Sequence, residues 1–170
     1  ARTTVPFVRQ YHEDREVTGW FLLDLSPSVD FGTVENFQKR SMLIDFVTVV
    51  ARLLTRHGNR VGAMMFGNGI QQTVPARGGR IQVLRLTNDL LKQPHHKRAP
   101  FTDLRTFFDH ALNSLKRRSL VFVLSDFISA PGWERSLNLL SQRHEVIAVR
   151  VHDPRESELP DLGMVMMEDA

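Results

Sequence analysis

The sequence predicts an α/β fold: a mostly parallel central sheet, helices on both faces, and an antiparallel edge strand. Three observations carry that expectation. Short segments such as "RVGAMMFG" (60–67) and "SLVFVLSDF" (119–127) are apolar almost throughout, which marks strands buried on both faces. Longer segments between them repeat their apolar residues at helical spacing. The two kinds alternate along the chain, the order that a parallel sheet covered by helices requires.

Taken in order, "VPFVRQY" (5–11) and "VTGWFLLDL" (17–25) read as strands joined by the charged turn "HEDRE". From Asn36 to His57, Leu43, Phe46, Val47, Val50, Leu53 and Leu54 form a helical stripe, and Arg56 and His57 before Gly58 are good stop chemistry. The strand 60–67 has a companion in "IQQTVPA" (70–76). That companion belongs at an edge, because Pro75 has no N–H for a central ladder. "GRIQVLRLTNDLLK" (79–92) is a helix halted by Pro94, and "QPHHKRAP" (93–100) is a loop. Leu104, Phe107, Phe108, Ala111, Leu112 and Leu115 make the clearest apolar stripe of the chain, with Thr102 and Asp103 as helix-start residues. The strand 119–127, a helix over 132–143, a strand "EVIAVRV" (145–151), a polar loop and a last strand "MVMME" (164–168) follow.

The 170 residues fit one domain, 1–170, with a substantial core. A start at Ala1 and a stop at "MMEDA" read as a fragment of a longer protein. Hydrophobic content of 42% and charged content of 24% are ordinary for a globular chain. A net charge of +3 gives nucleic-acid binding little electrostatic basis. The chain has no cysteine, which excludes disulfides and thiolate metal sites and suits the cytoplasm. It has no apolar run of about 18 residues, so this segment is expected to make no membrane contact of its own.

The stretch "FLLDLSPSVDFG" (21–32) begins as a buried strand and turns polar at every second residue. In an extended chain, side chains at i and i+2 point the same way, so Asp24, Ser26 and Ser28 can present three oxygens to one point. Hard cations such as Mg²⁺ take oxygen ligands at about 2.1 Å in near-octahedral geometry. Asp126 stands at the carboxyl end of another central strand, and Thr102 opens a helix reached from a loop at the same sheet edge. Ligands of open α/β sheets gather at that edge, where the strand order switches. Two carboxylates and three neutral hydroxyls leave Mg²⁺ poorly neutralised and open to an outside carboxylate. Each residue also has a plainer reading: "DLSPS" as a strand-to-helix turn, Thr102 as a helix cap, Asp126 as a turn residue.

Asp24, Ser26, Ser28, Thr102 and Asp126 together resemble the metal-ion-dependent adhesion site of von Willebrand factor A-type domains, whose fold is Rossmann-like. Over nearly its whole length the chain resembles the bacterial family known as domain of unknown function 58. The segments that carry this are "VRQYHEDRE" (8–16), "DLSPSVDFG" (24–32), "RVGAMMFG" (60–67), "LVFVLSDF" (120–127) and "VHDPRESELPDLG" (151–163). Val29 stands where that family usually has Met. The resemblance implies a non-enzymatic protein-interaction domain with a Mg²⁺ site (Mn²⁺ or Ca²⁺ as alternatives). It also implies a partner, a MoxR-type AAA+ ATPase, for which the domain acts as an adaptor.

Two rival functions are weighed against this. A Mg²⁺-dependent phosphohydrolase would use Asp24 as nucleophile, but the second acid expected two residues on is Ser26. A nucleic-acid binder would use Lys39, Arg40, Lys97, Arg98, Lys116, Arg117 and Arg118, which are scattered among acids without aromatic platforms. The acidic loop Asp153, Glu156, Glu158 and Asp161 misses EF-hand spacing, and the histidines miss the HExxH pattern of zinc hydrolases. Trp20 and Trp133 are expected to be packing residues.

Overall fold

The computed structural model describes residues 16–30, 39–67, 69–94 and 102–153. The strands expected at 5–11 and 164–168, most of the charged turn at 12–16, and residues 95–100 of the loop at 93–100 lie outside the described residues.

Strands β1 (Thr18–Asp24), β2 (Arg60–Gly67), β3 (Gly69–Arg77), β4 (Leu120–Ser125) and β5 (Glu145–Arg150) form one sheet in the order β3-β2-β1-β4-β5. β1 pairs parallel with β2 and with β4, β4 pairs parallel with β5, and β3 runs antiparallel to β2 at an edge. The helices are α1 (Pro27–Asp30), α2 (Lys39–Arg56), α3 (Arg80–Leu91), α4 (Leu104–Ser114) and α5 (Trp133–Arg143). The helix expected from Asn36 is described from Lys39. It ends where Gly58 takes φ 79°, a left-handed stop that costs glycine nothing.

The apolar runs of β1, β2 and β4 show no alternation of hydropathy, yet the fold sorts them with period two. Phe21, Leu23, Val61, Ala63, Met65, Phe122 and Leu124 face α2 and α3, where they meet Leu43, Val47, Ala51, Val83, Leu86 and Leu90. Leu22, Met64, Phe66, Val121 and Val123 face the other way, onto Leu104, Phe107, Phe108 and Ala111 of α4 and Leu140 of α5. Each fully buried Leu, Phe or Met contributes roughly 1.5–3 kcal/mol, so two cores back to back explain why both faces must be apolar. On the second face Phe66 stacks on Phe107 at 4.9 Å, and Phe108 meets Trp133 edge-on at 6.2 Å. Trp20 and Trp133 both pack against that core, as the sequence predicts.

Pro75 sits where β3 bulges: Val61 opposes Arg77 and Ala63 opposes Val74, leaving Pro75 and Ala76 against Gly62 alone. A Cβ at position 62 would lie 2.8–2.9 Å from the Trp20 ring, Ala76 N and Val74 O, so the crossing admits only glycine. The carbonyls freed by the bulge are served by buried Gln82, whose amide donates to Val61 O and Pro75 O at 2.9 Å each.

The chain leaves β1 toward β2 and β3 on one side, then returns to place β4 on the other. The carboxyl ends of β1 and β4 are therefore neighbours at the switch point of the sheet. β4 ends at Ser125, two residues short of the expected strand, because Phe127 adopts φ 60° and cannot continue an extended chain.

His144, between α5 and β5, is buried, and among the described residues neither ring nitrogen has a hydrogen-bond partner. Burial, helped by the charge of Arg143, holds its imidazole below the ordinary value of 6.5. The unfolded chain then binds the proton more readily than the folded one, so stability is full above 6.5 and is lost as pH falls below it. Urea midpoints measured from about pH 7 down to about pH 5 should fall more steeply for the natural protein than for His144→Leu.

Candidate metal centre

The strand β1 carries Asp24 wholly inside the protein, where its carboxylate is met from two directions. Oδ1 accepts from the Ser26 N–H at 3.0 Å, and Oδ2 accepts from the Ser125 hydroxyl at 2.6 Å. The chain then winds into α1, with Val29 N donating to Ser26 O at 3.0 Å. That turn places Ser26 Oγ and Ser28 Oγ 3.0 Å apart. The two hydroxyls therefore meet as expected, but for a different reason: Pro27–Asp30 is helical, so a tight winding and not an extended i, i+2 alternation joins them.

The end of β4 supplies the opposite wall. Ser125 Oγ, while donating to Asp24, accepts from Phe127 N at 2.8 Å. Asp126 is buried and its Oδ1 accepts from Ile128 N at 3.0 Å. Its Oδ2 is buried with no hydrogen-bond partner among the described residues, and the Lys39 ammonium stands 3.6 Å away. The left-handed Phe127 between these contacts is backbone strain held in place by the packing of its ring on Trp133 at 5.4 Å.

Thr102 does not cap α4. Asp103 does, its Oδ1 accepting from Arg105 N at 3.0 Å, which leaves Thr102 outside the capping role that its position also allowed. The Thr102 carbonyl accepts from Ala130 N at 3.1 Å and from Ser129 Oγ at 2.9 Å, and Leu104 N donates to the same Ser129 oxygen at 3.0 Å. Ser129 thus fastens the start of α4 to the loop that follows Asp126. Asp24, Ser26, Ser28 and Asp126 are gathered at the ends of β1 and β4, and Thr102 is docked on the loop beside them.

Burial and a neighbouring acid both act on the Asp24 carboxyl. Burial pushes the Asp24 carboxyl above its usual value, the Ser125 and Ser26 hydrogen bonds pull it back, and the charge of Asp126 pushes it up further. Among the described residues no group of three or more His, Cys, Asp or Glu forms a metal cluster. The donor set here is instead two carboxylates with hydroxyls. Such hard, oxygen-only chemistry, with one buried carboxylate oxygen that accepts no hydrogen bond among the described residues, fits a divalent cation of the Mg²⁺ kind.

Four residues in and around this cluster escape sequence reasoning. Ser125 and Ser129 look like ordinary strand and loop hydroxyls. Lys39 and Arg40, counted in the basic set for a nucleic-acid binder, are corrected by the fold: both are buried. Arg40 donates to Gln93 O at 2.6 Å and to Pro94 O at 3.4 Å, anchoring the loop that leads toward Thr102.

The sheet order, the helices on both faces and the polar cluster at the ends of β1 and β4 define a von Willebrand factor A-like domain. The family model described as "Protein of unknown function DUF58" matches residues 1–170, and the chain belongs to that family. It is 36% identical over 170 residues to the uncharacterized protein Rv1480 of Mycobacterium tuberculosis, covering 100% of this chain and 53% of that protein. It is 38% identical over 97 residues to the uncharacterized protein MAV169 of Mycobacterium avium, covering 57% of each. The chain thus spans about half the length of these relatives.

Among solved structures it is similar to an aerotolerance-related membrane protein of Bacteroides fragilis, with TM-score 0.64, 15% identity, and 79% and 67% of the two chains covered. BatB of Bacteroides thetaiotaomicron gives 0.61 at 14%, covering 79% and 66%. Manganese-loaded TRAP of Plasmodium vivax gives 0.57 at 17%, covering 83% and 60%. At such identities these likenesses establish the fold. Among the described residues no helix is long and apolar enough to cross a membrane.

An ionised Asp24 is a cost that the metal-free protein bears. Without divalent ions, Asp24→Asn should leave urea stability unchanged or raise it by about 1 kcal/mol. Ser125→Ala removes a donor to Asp24 and an acceptor for Phe127 N, and should lower stability by about 2 kcal/mol. Equilibrium unfolding in EDTA checks both.

Proposed function

We propose that the chain is a metal-dependent protein-binding domain. Mg²⁺, or Mn²⁺ or Ca²⁺ in its place, would be held by Asp24, Ser26, Ser28, Thr102 and Asp126. The bound ion would supply an electrophilic centre for an acidic side chain of a partner protein. The observation that carries this reading is the meeting, at the switch point of the sheet, of the Asp24 carboxylate, the paired Ser26 and Ser28 hydroxyls and Asp126 Oδ2, which accepts no hydrogen bond among the described residues. Ser125 fixes the Asp24 carboxylate, α1 fixes the hydroxyl pair, and Ser129 holds Thr102 to the same loop. The manganese-loaded TRAP structure is support by analogy, since a domain of the same fold was solved with a divalent metal.

Binding is favoured over catalysis because Asp24, the residue a phosphohydrolase would use as nucleophile, is wholly buried with both oxygens engaged. The partner we propose is a MoxR-type AAA+ ATPase, for which this cytoplasmic domain would act as an adaptor. The reading is tested by retention of the purified ATPase of the same organism on the immobilised domain. Retention in Mg²⁺ should drop at least about tenfold in EDTA and in Asp24→Ala or Ser26→Ala, with circular dichroism unchanged. Equal retention under all four conditions would remove the reading.

A further inference from the structure

Lys39 is the first residue of α2 and is wholly buried. Its ammonium donates to Ser28 O at 3.1 Å and stands 3.6 Å from Asp126 Oδ2. Taking an ammonium out of water is expensive. Plain packing would be served better by an apolar residue. The ammonium touches both halves of the cluster: the carbonyl of Ser28 in α1 and the carboxylate of Asp126 just past β4.

We propose that Lys39 is a built-in counter-cation of the metal centre, which neutralises Asp126 in the metal-free protein and weakens the hold on a divalent ion. The inference rests on the metal reading above and adds its regulation. A divalent ion bound through Asp126 shares that carboxylate with the ammonium. Like charges at one buried carboxylate repel with little screening by water or salt. The site therefore keeps its metal weakly by itself, and an arriving partner carboxylate restores the negative charge that Lys39 has offset. Arg40, the other buried cation of α2, donates to the Gln93 and Pro94 carbonyls.

Titration calorimetry with Mn²⁺ on the domain alone tests this without any partner. Lys39→Gln keeps a hydrogen-bond donor for Ser28 O and removes the charge, and should bind Mn²⁺ at least about tenfold more tightly than the natural protein. Lys39→Arg keeps the charge and should stay within about threefold. Lys39→Met, which keeps the packing of the stem, is the second uncharged variant should Lys39→Gln not fold. A merely structural lysine predicts the opposite pattern: folded uncharged variants that bind Mn²⁺ no tighter, or more weakly. That result would overturn the inference and leave the metal reading standing. If the natural protein and every variant fail to bind Mn²⁺ at millimolar concentration, the metal reading itself falls and the role of Lys39 falls with it.

Discussion

The hydrogen bond from Ser125 to Asp24, 2.6 Å long, joins residues 101 positions apart and exists only because β1 and β4 are parallel neighbours. Their register sets Leu23 opposite Leu124, so Asp24 and Ser125 follow as adjacent residues at the strand ends. Everything in the polar cluster hangs on that register. A slip of one residue would turn Asp24 into one of the two apolar cores and send Leu23 to the opposite face. The two cores prevent it, since Leu22 and Leu23 are committed to opposite faces by the helices packed there. The apolar packing is therefore what fixes the position of the acids.

The cluster so positioned is not a stabilising feature of the fold. Among the described residues it holds two buried carboxylates, one buried ammonium, a carboxylate oxygen without a hydrogen bond, and a left-handed Phe127. Each is unfavourable for folding alone. They persist because the surrounding sheet and helices over-determine the site, and strain gathered at one place in a well-packed domain points to use. The bulge at Pro75 is a contrasting case. There the irregularity is relieved at once, by Gly62 beneath it and by Gln82, which donates to the Val61 and Pro75 carbonyls.

Much of this was legible beforehand. Apolar runs bounded by turns give the strands, Leu104 to Leu115 gives α4, and Pro75 gives the edge, because each is a local consequence of burial or of a missing N–H. The "DLSPS" stretch and Asp126 were legible as a polar pair at strand ends. The reason Ser26 and Ser28 meet was not, since the one-turn helix at Pro27 replaces an extended path. Asp103, not Thr102, caps α4, and adjacent residues with similar capping ability cannot be told apart without the geometry of the loop that Ser129 ties down. Lys39 was least legible. A lysine among polar residues looks like a solvated face, and only the tertiary approach of Asp126, 87 positions later, turns it inward.

Neutral hydroxyls and a resident ammonium bear on the same quantity, the net negative charge offered to a cation. Among the described residues, Asp24 and Asp126 against Lys39 sum to a formal charge of −1 when both acids are ionised. On the metal-binding reading, such a site is conditional by construction. A partner's carboxylate adds the charge that Lys39 has offset, so metal and partner each strengthen the binding of the other by the same free energy. Replacing Ser26 or Ser28 with an acid would make the metal permanent, but it would also neutralise the ion and remove its attraction for an outside ligand. Weak metal affinity in the isolated domain and strong metal dependence of the complex are, on this account, one electrostatic property seen from two sides.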